Sequence, residues 1–578
     1  MARSGPLAAC DCETDPFLHG RVPRPFIWGF YDGKSYEVFH DTQSFVNRIK
    51  DKNYTLYAHN GGKFDFMYLL PFVGYTRAQI INGRIVSMKL GETTLIDSFA
   101  AVPESLAKIK KREIEMWKME KTQRQKYMAE IIHYLEGDCV YLYELMEAYR
   151  REAGKKKTIA SNALDFAQKL GLKPGKTNYA FDSNFREFYY GGRTQCFLPG
   201  EHKNIRCYDI HSAYPFAMTH DHPSGAARNT ASSLKGLSHE QIQRSFIRLE
   251  CFSNGAFPLR TKTAAGLDFP VEKNIFRVTG WEYLAAKELN LIKDVSIIEV
   301  KYCDETINFT PYVTHWYDYK SKHDKSEFPI EYTIGKFMMN SLYGKLAQNP
   351  ERYFDYKIVE DDYVLPCSEA IEDDEGYCKI CGYATIDHGW TSFTRFEGKR
   401  FIRRETMWKY RMMYGDELES KPLYKNVATG ASITGFTRAH LLRAIHSVGA
   451  KEVIYCDTDS IYLTERADIS GLSRTNNLGD WGLEIENAPL GYFTGKKQYA
   501  IEIDPSKPCN CADNKCKKHK VVSKGAKLVF RDFEKLMRGE KITYRQEAPT
   551  FSIARGIHFP IREIKSTAKS LDKNILVP

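Results

Sequence analysis

Two close pairs of acids in this chain are placed where carboxylates are hard to explain without a cation. Asp457 and Asp459, in Tyr455-Cys456-Asp457-Thr458-Asp459-Ser460, flank one threonine at a polar tip between Val453-Ile454 and Ile461-Tyr462-Leu463. Apolar β-formers running into and out of such a tip predict a β-hairpin with both carboxylates at its turn. Like charges this close repel, and a divalent metal between them is the usual resolution. Surface turns are rich in Asp as well, so the pair alone is a weak signal. The second pair, Asp11 and Glu13, interrupts the apolar run Leu7 to Cys12. On a strand, positions i and i+2 share a face, and a strand core rarely carries unpaired carboxylates.

Further acids extend the second pair. A predicted strand, Thr55 to Ala58, runs into His59-Asn60-Gly61-Gly62-Lys63-Phe64-Asp65, whose glycines allow a tight turn before a helix starting near Phe66. Ile131 to Met146 has the apolar period of a helix, with Tyr134 and Asp138 as i, i+4 neighbours on one face. Asp11, Glu13, Asp65 and Asp138 thus fall on a strand, a helix start and a helix. Two cations roughly 4 Å apart, held by such a set, bind the attacking water and the leaving oxygen of a phosphodiester. Taken singly, Asp65 and Asp138 read better as a cap or a surface residue.

The elements that must position these groups follow from pattern. Ile27 to Tyr31 and Tyr36 to His40 around Asp32-Gly33 read as a hairpin. Residues 150–185 read as a linker with one or two short helices, leading into Tyr189-Tyr190-Gly191-Gly192-Arg193, where glycines permit close backbone approach and the aromatics and Arg suit stacking and phosphate contact. Ile205 to Asp209 is a strand, followed by a turn and helix to Met218. Tyr332 to Gln348 is helical, with Lys336, Asn340 and Tyr343 along one stripe, able to grip triphosphate oxygens and pack on a base. An amphipathic surface helix explains that stripe too.

At 578 residues the chain exceeds a single core, and its 43% hydrophobic content with charge of both signs reads as soluble and globular. The net charge of +10 permits a polyanionic partner without demanding one. Basic clusters at Lys108 to Arg112, Lys155 to Lys157, Lys399-Arg400 with Arg403-Arg404, and Lys517-Lys518 with Lys520 are each explicable as a solvated face. No signal-peptide core or membrane-length apolar run occurs, so a cytoplasmic protein is expected. The 14 cysteines are mostly scattered singly, as reduced small hydrophobes would be.

Together these strings resemble the family B DNA polymerases. Asp-x-Glu, Asn-x-x-x-Phe-Asp and Tyr-x-x-x-Asp are similar to the three exonuclease motifs, which implies an RNase H-like 3′-5′ exonuclease domain. Asp11, Glu13, Asp65 and Asp138 would then bind metal, and Tyr134 would orient the attacking water. Thr14, His59, Asn60, Phe64 and Ser98 would grip the single-stranded 3′ end. Tyr189-x-Gly191-Gly192 resembles the motif that links the two halves and touches template. Asp209-x-x-Ser212-Ala213-Tyr214-Pro215 is similar to motif A, Lys336-x-x-x-Asn340-Ser341-Leu342-Tyr343-Gly344 to motif B and Tyr455 to Ser460 to motif C. The implied fold is α/β and α+β multidomain, the exonuclease domain followed by a right hand of palm, fingers and thumb. Asp209, Asp457 and Asp459 would hold two Mg²⁺ or Mn²⁺, Tyr214 would exclude a 2′-hydroxyl, and Ser212, Ala213, Lys336, Asn340 and Tyr343 would line the dNTP site. Lys320, Lys322 or Lys325 would add charge there. Thr434-x-x-x-Arg438 and Lys497-x-Tyr499 resemble primer-template contact motifs.

The gap of about 120 residues between motifs A and B is longer than a palm connection needs, so an inserted subdomain is expected. With the short overall length, and the strings Asp11 to Phe17 and Tyr57 to Asp65, this resembles the protein-primed polymerases of small bacteriophages, most of all the tectivirus type. The resemblance implies an exonuclease domain at 1–150, a linker at 151–200, palm at 201–220, a first insertion docking a terminal protein at 221–312, fingers at 313–347, a second insertion for processivity and strand displacement at 348–425, palm at 426–526 and thumb at 527–578. The implied partners are primer-template and single-stranded DNA, dNTPs and a terminal protein as primer, bound by a monomer that forms a heterodimer with it at initiation. A polymerase using nucleic-acid primers, and a non-catalytic DNA-binding scaffold, are the alternatives. The long insertion argues against the first and the retained acids against the second. Cys509, Cys511, Cys516 and His519 fall within eleven residues and form a candidate Zn²⁺ site; Cys378-x-x-Cys381 has knuckle spacing but no similarly spaced second pair.

Overall fold

The computed structural model describes residues 5–577 except 110–112, 176, 226–228, 261–265, 369–370, 409–410, 412–414, 416–421, 424, 508, 510–517, 554 and 568–574. In the N-terminal domain, β1 (Leu7–Thr14) pairs antiparallel with β2 (Pro25–Tyr31), which pairs with β3 (Tyr36–Phe39). On its other side β1 runs parallel to β4 (Thr55–Ala58). The sheet continues through β5 (Thr76–Ile81), β6 (Arg84–Leu90) and β7 (Thr93–Asp97), with β7 parallel to β4. Helix α1 (Asp65–Leu69) follows the glycine turn. The long α2 (Met128–Glu152) lies across β1 and β2. Its closeness depends on Gly29, the register partner of Asp11: a Cβ there would meet Cys139 Sγ at 2.8 Å and Leu135 Cγ at 2.9 Å. Gly29 therefore lets α2 settle onto the strand that carries the first acid pair.

Two short helices, Ile159–Lys169 and Tyr179–Arg186, occupy the expected linker. Next come β8 (Thr194–Cys196), β9 (Ile205–Ile210) and α3 (Ala213–Met218). The long gap after α3 is a folded module. Strands β10 (Ser245–Asn254), β11 (Val271–Thr279) and β12 (Ile292–Tyr302), with the short strand Asn229–Ala231, form an antiparallel sheet carrying α4 (Gly280–Glu288). Helices α5 (Thr310–Lys322) and α6 (Pro329–Leu346) pack as a pair.

The segment after α6 does not stand apart as a free hairpin. Strands β13 (Phe354–Glu360), β14 (Thr391–Phe396) and β15 (Lys399–Glu405) join the N-terminal sheet through β13 against β5, giving a ten-stranded sheet in the order β14-β15-β13-β5-β6-β7-β4-β1-β2-β3. Ile358 and Phe401 share one core with Trp28, Leu56 and Ile85.

Helix α7 (Val427–Ser447) is buried along most of its length and packs against α3, α4 and α6. Then β16 (Val453–Asp457), β17 (Ser460–Leu463) and β18 (Trp481–Ala488) complete a five-stranded sheet in the order β18-β9-β17-β16-β8. The C-terminal region holds α8 (Phe530–Met537) and the hairpin Thr550–Ser552 with Gly556–His558, whose Phe551 is buried in the core of the N-terminal domain. Among the described residues, no helix is long and apolar enough to cross a membrane.

Candidate active sites

In the N-terminal domain, β1 presents Asp11 and Glu13 on one face and α2 lowers Asp138 onto them. Carboxylate oxygens of these three acids lie within 4.8 Å of one another. Burial, then Asp65, Glu13 and Asp138, push the Asp11 carboxyl well above its ordinary range. Burial, then Asp138 and Asp65, raise Glu13 to about 8. Asp65 is buried at the start of α1 and raised to about 6 by burial, while a hydrogen bond from Cys12 opposes the rise. It stands outside the three-acid group but within its field. A set of buried acids with such mutual repulsion is the donor set a divalent cation requires, so the residues fit the metal expected there. Tyr134, one turn before Asp138, hydrogen-bonds it.

Around this cluster the expected strand-gripping residues differ in what they can reach. Asn60 is exposed in a left-handed conformation with φ of 62°. Phe64 meets Phe17, Tyr68 and Phe551 edge-on, at ring-centroid distances of 5.6, 5.5 and 5.3 Å. Ser98 is fully buried, and its Oγ lies 2.9 Å from His59 Nδ1, so it orients the imidazole and does not itself meet a strand. Burial lowers His59 to about 4, keeping the ring neutral. Thr14 is buried too, its hydroxyl donating to the Asp15 carbonyl.

The second acid set sits where β9 ends beside the β16–β17 turn. Asp209 is the register partner of Ser460, Asp457 pairs across the hairpin with the same serine, and Thr458 takes φ of 63° at the tip. Burial, then Asp459 and Glu484, raise Asp209 to about 7. Burial, then Asp457, raise Asp459 to about 6. Asp457 is held differently: its Oδ1 accepts from Lys497 Nζ at 2.6 Å and Thr194 Oγ1 at 3.0 Å. The three carboxylates do not form a tight group of the kind seen on β1 and α2. The ammonium of Lys497 occupies the charge position beside Asp457. Glu484 on β18, ion-paired to Lys520 at 2.9 Å, adds a fourth acid to the field. Its neighbours on the strand carry no motif, so pattern alone gave no signal for it.

Beside the hairpin, the rings of Tyr214 and Tyr343 stack at 4.0 Å and 16°. Tyr214 comes from α3 after Ser212, which adopts φ of 57°, and the buried Ala213; Tyr343 comes from α6. Two aromatics from motifs 129 positions apart thus meet face to face within the field of Asp459. On α6, Lys336 is exposed, with Glu104 at 3.9 Å, and Asn340 donates to the Lys336 carbonyl. Of the three lysines that precede α6, Lys320 is the half-buried one; burial and then Lys336 lower its pKa, while Lys322 and Lys325 point to solvent.

Residues 108–389 match the family described as DNA polymerase type B, organellar and viral. The DNA-directed DNA polymerase of Enterobacteria phage PRD1 is 32% identical, over 97% of this chain and 98% of that protein. This chain belongs to the type B DNA polymerases. A probable DNA polymerase of Agaricus bitorquis is 25% identical over 56% of this chain and 49% of that protein. Among solved structures, phi29 DNA polymerase complexed with primer-template DNA and incoming nucleotide superposes with a TM-score of 0.70 at 18% identity, covering 97% of this chain and all of that one. The same polymerase complexed with single-stranded DNA gives 0.69 at 17%, again over 97% of this chain and all of that one. The mixed α/β architecture is therefore that of an exonuclease domain joined to a right-handed polymerase domain with insertions.

Three candidate DNA contacts of the polymerase prove to be struts. Arg438 on α7 pairs with Glu282 of α4 at 2.8 Å, their side chains 2% and 3% exposed, and its Nη1 donates to the carbonyls of Tyr190 and Gly191. The guanidinium holds the Tyr189 to Gly192 loop and is not open to a phosphate. Arg193, expected to reach phosphate, is likewise buried, over the Phe269 ring and bonded to Gln195; burial lowers it to about 10. Tyr499 is buried with its hydroxyl 2.8 Å from that of Tyr462, so only Lys497 of that motif reaches the acids. In each case the motif was legible and the burial was not.

The Tyr189 loop lies directly on the acid hairpin. A Cβ on Gly192 would meet Thr458 Oγ1 at 2.5 Å, and the Thr458 amide donates to the Arg193 carbonyl at 2.6 Å. On the outer side of the loop, Tyr189 and Gly191 line a cavity of about 760 Å³ that runs to Asn82 of the exonuclease domain, with Arg260 and Arg352 in its walls. Arg260, whose guanidinium lies 4.8 Å from the Tyr190 ring centroid, had no motif to reveal it. Of the expected zinc ligands in that segment, Cys511 and Cys516 lie outside the described residues; Cys509 is disulfide-bonded, which removes its thiolate from the expected Zn²⁺ set, and its Sγ stands 3.4 Å from His519 Nδ1.

Proposed function

We propose that this chain is a protein-primed, template-directed DNA polymerase that copies a linear viral or plasmid DNA, displacing the non-template strand and proofreading with a 3′-5′ exonuclease. The observation that carries this reading is the presence, in one chain, of two separate carboxylate sites: the buried Asp11, Glu13 and Asp138 cluster, and the Asp209 and Asp459 pair faced by the stacked Tyr214 and Tyr343. The first would hold metal through Asp11, Glu13, Asp65 and Asp138, the second through Asp209, Asp457 and Asp459, each taking two Mg²⁺ or Mn²⁺. When bound, such cations supply an activated oxygen nucleophile and neutralise charge on the phosphate.

What the chain itself contributes is positioning. Tyr214, backed by Tyr343, would close the space a ribose 2′-hydroxyl needs. Lys336 and the half-buried Lys320 would draw the triphosphate toward α6, with Asn340 beside them. Lys497 would exchange Asp457 for the primer end, freeing the carboxylate. Gly191, Gly192 and Tyr189 would carry the template past the hairpin, along the wall that Arg260 lines. In the exonuclease domain, Tyr134 would hold the water, while His59, Asn60 and Phe64 receive the strand. Thr14 and Ser98 support that grip from beneath.

The folded module between α3 and α5 supports protein priming, because a palm connection needs no four-stranded sheet. Terminal protein, primer-template DNA and dNTPs are the partners this reading requires. It is tested by a single-nucleotide initiation reaction with the protein, Mg²⁺ or Mn²⁺, a labelled dNTP, origin-end DNA and the candidate terminal protein. Label on the terminal protein that Asp457→Ala abolishes supports the reading. Absence of label, with normal extension of an ordinary primed template, replaces it with a polymerase that uses nucleic-acid primers.

A further inference from the structure

Residues 361–390, between β13 and β14, are poor in apolar core. Val364, Ile371, Tyr377, Ile380, Tyr383 and Ile386 are exposed. Among the described residues of the segment, only Cys378, Thr385, His388 and Trp390 are buried. A stretch this long with so little buried surface calls for another source of order.

Four side chains converge where that order is needed. Cys367 Sγ lies 3.5 Å from both Cys378 Sγ and Cys381 Sγ, and Cys381 Sγ lies 3.4 Å from His388 Nε2. All four atoms fall within 4.8 Å of one another. A tetrahedral zinc, with Zn–S of about 2.3 Å and Zn–N of about 2.0–2.1 Å, spaces its ligand atoms by about 3.5–3.8 Å. Disulfide sulfurs would approach to about 2.05 Å. None of the three cysteines is disulfide-bonded, and their sulfurs are set at the wider spacing.

The backbone is built to the same end. Gly382, with φ of 69°, turns the chain after Cys381; its amide donates to the Cys378 carbonyl, and the Cys378 amide donates to Tyr383, both at 2.8 Å. Backbone N–H groups of Ile380 and Cys381 point to the Cys378 sulfur. From the other side, the buried Arg404 of β15 donates to the carbonyls of Ile386 and His388 and lies over the Trp390 ring at 4.6 Å. The His388 ring has no hydrogen bond at Nδ1, so its orientation is set on the Nε2 side, toward the sulfurs.

We propose that Cys367, Cys378, Cys381 and His388 bind one structural Zn²⁺. Three thiolates and an imidazole favour zinc over hard, oxygen-seeking cations, and four protein ligands leave no open position for substrate. The ion cross-links the loop between β13 and β14, which Arg404 holds to β15 and so, through β13, to the N-terminal sheet. In sequence the site hides because Cys367 and His388 flank the Cys-x-x-Cys knuckle singly, at unequal distances.

The test is metal analysis of the full-length protein, purified without chelator and washed with excess Mg²⁺ to clear the carboxylate sites. One zinc per chain is expected. Cys378→Ser combined with Cys381→Ser should lower zinc at least tenfold, whereas Cys516→Ser leaves it in place. Exchange for Co²⁺ should give the intense visible bands of a tetrahedral thiolate site, and His388→Cys, which keeps four ligands, should retain metal with those bands shifted toward a four-thiolate spectrum. The Co²⁺ spectra of the unmutated protein and His388→Cys decide the matter even if the double serine variant does not fold. Protein lacking both zinc and the Co²⁺ thiolate bands overturns the proposal. So does zinc that leaves with Cys516→Ser and stays in the double serine variant, or a Co²⁺ spectrum that His388→Cys leaves unchanged.

Discussion

A guanidinium can serve a nucleic-acid enzyme without ever meeting a phosphate, and Arg438 does so by fixing two carbonyls of the Tyr189 to Gly192 loop while neutralising Glu282. Arg438→Ala would strand Glu282 as a buried, unpaired charge. It should cost about 3–5 kcal/mol in denaturant melts and depress nucleotide addition more than excision of a single-stranded oligonucleotide, since the loop lies against the polymerase hairpin. The sequence showed the arginine and its motif spacing; the partner lies 156 positions away, a separation no local pattern encodes. The Tyr214 and Tyr343 stack belongs to the same scale. Tyr214→Val removes one ring of the pair and should raise the ratio of ribonucleotide to deoxynucleotide incorporation at least tenfold, read by single-nucleotide extension with each substrate.

At the scale of elements, β1, α1 and α2 bring acids together against their own repulsion, and stability must record that. Folding raises the Glu13 carboxyl to about 8 and Asp65 to about 6, against about 4 in an unfolded chain. The folded state therefore binds protons more tightly, and the metal-free protein should be most stable at acid pH and lose stability as pH climbs from about 4 through about 8. Glu13→Gln should raise the melting temperature in chelator near pH 8, leave it little changed near pH 5, and abolish the stabilisation expected on adding Mn²⁺ to the unmutated protein. Much of this element-level plan was legible, because period-2 and period-3.6 patterns place β1, β4, α2 and the hairpin turn directly. Glu484 was not, since its strand mixes exposed and buried positions and its role depends on pairing β18 with β9.

For the molecule as a whole, the segment between α6 and α7 is also a part of the N-terminal sheet. Length and composition could mark it as inserted, but which edge it joins is a tertiary fact, set by β13 pairing with β5. Ile358→Ala should therefore destabilise the exonuclease domain by about 2–5 kcal/mol, visible as earlier loss of excision than of nucleotide addition on heating. The hairpin Thr550–Ser552 with Gly556–His558 offers a second long-range tie. Phe551 rests edge-on against Phe64, the ring proposed to receive the 3′ end. Under the proposed function, a strand end arriving there would not fill a waiting socket; it would have to displace Phe551. Transfer from synthesis to editing would then have a threshold set by a side chain and independent of the chemistry that follows. A frayed terminus, already free of its template, would cross that threshold more readily than a paired one. Phe551→Ala should lower it for both, speeding excision several-fold on single strands and narrowing the gap in excision rate between mismatched and matched primer ends. Fidelity would then be filtered at the doorway before any carboxylate takes part.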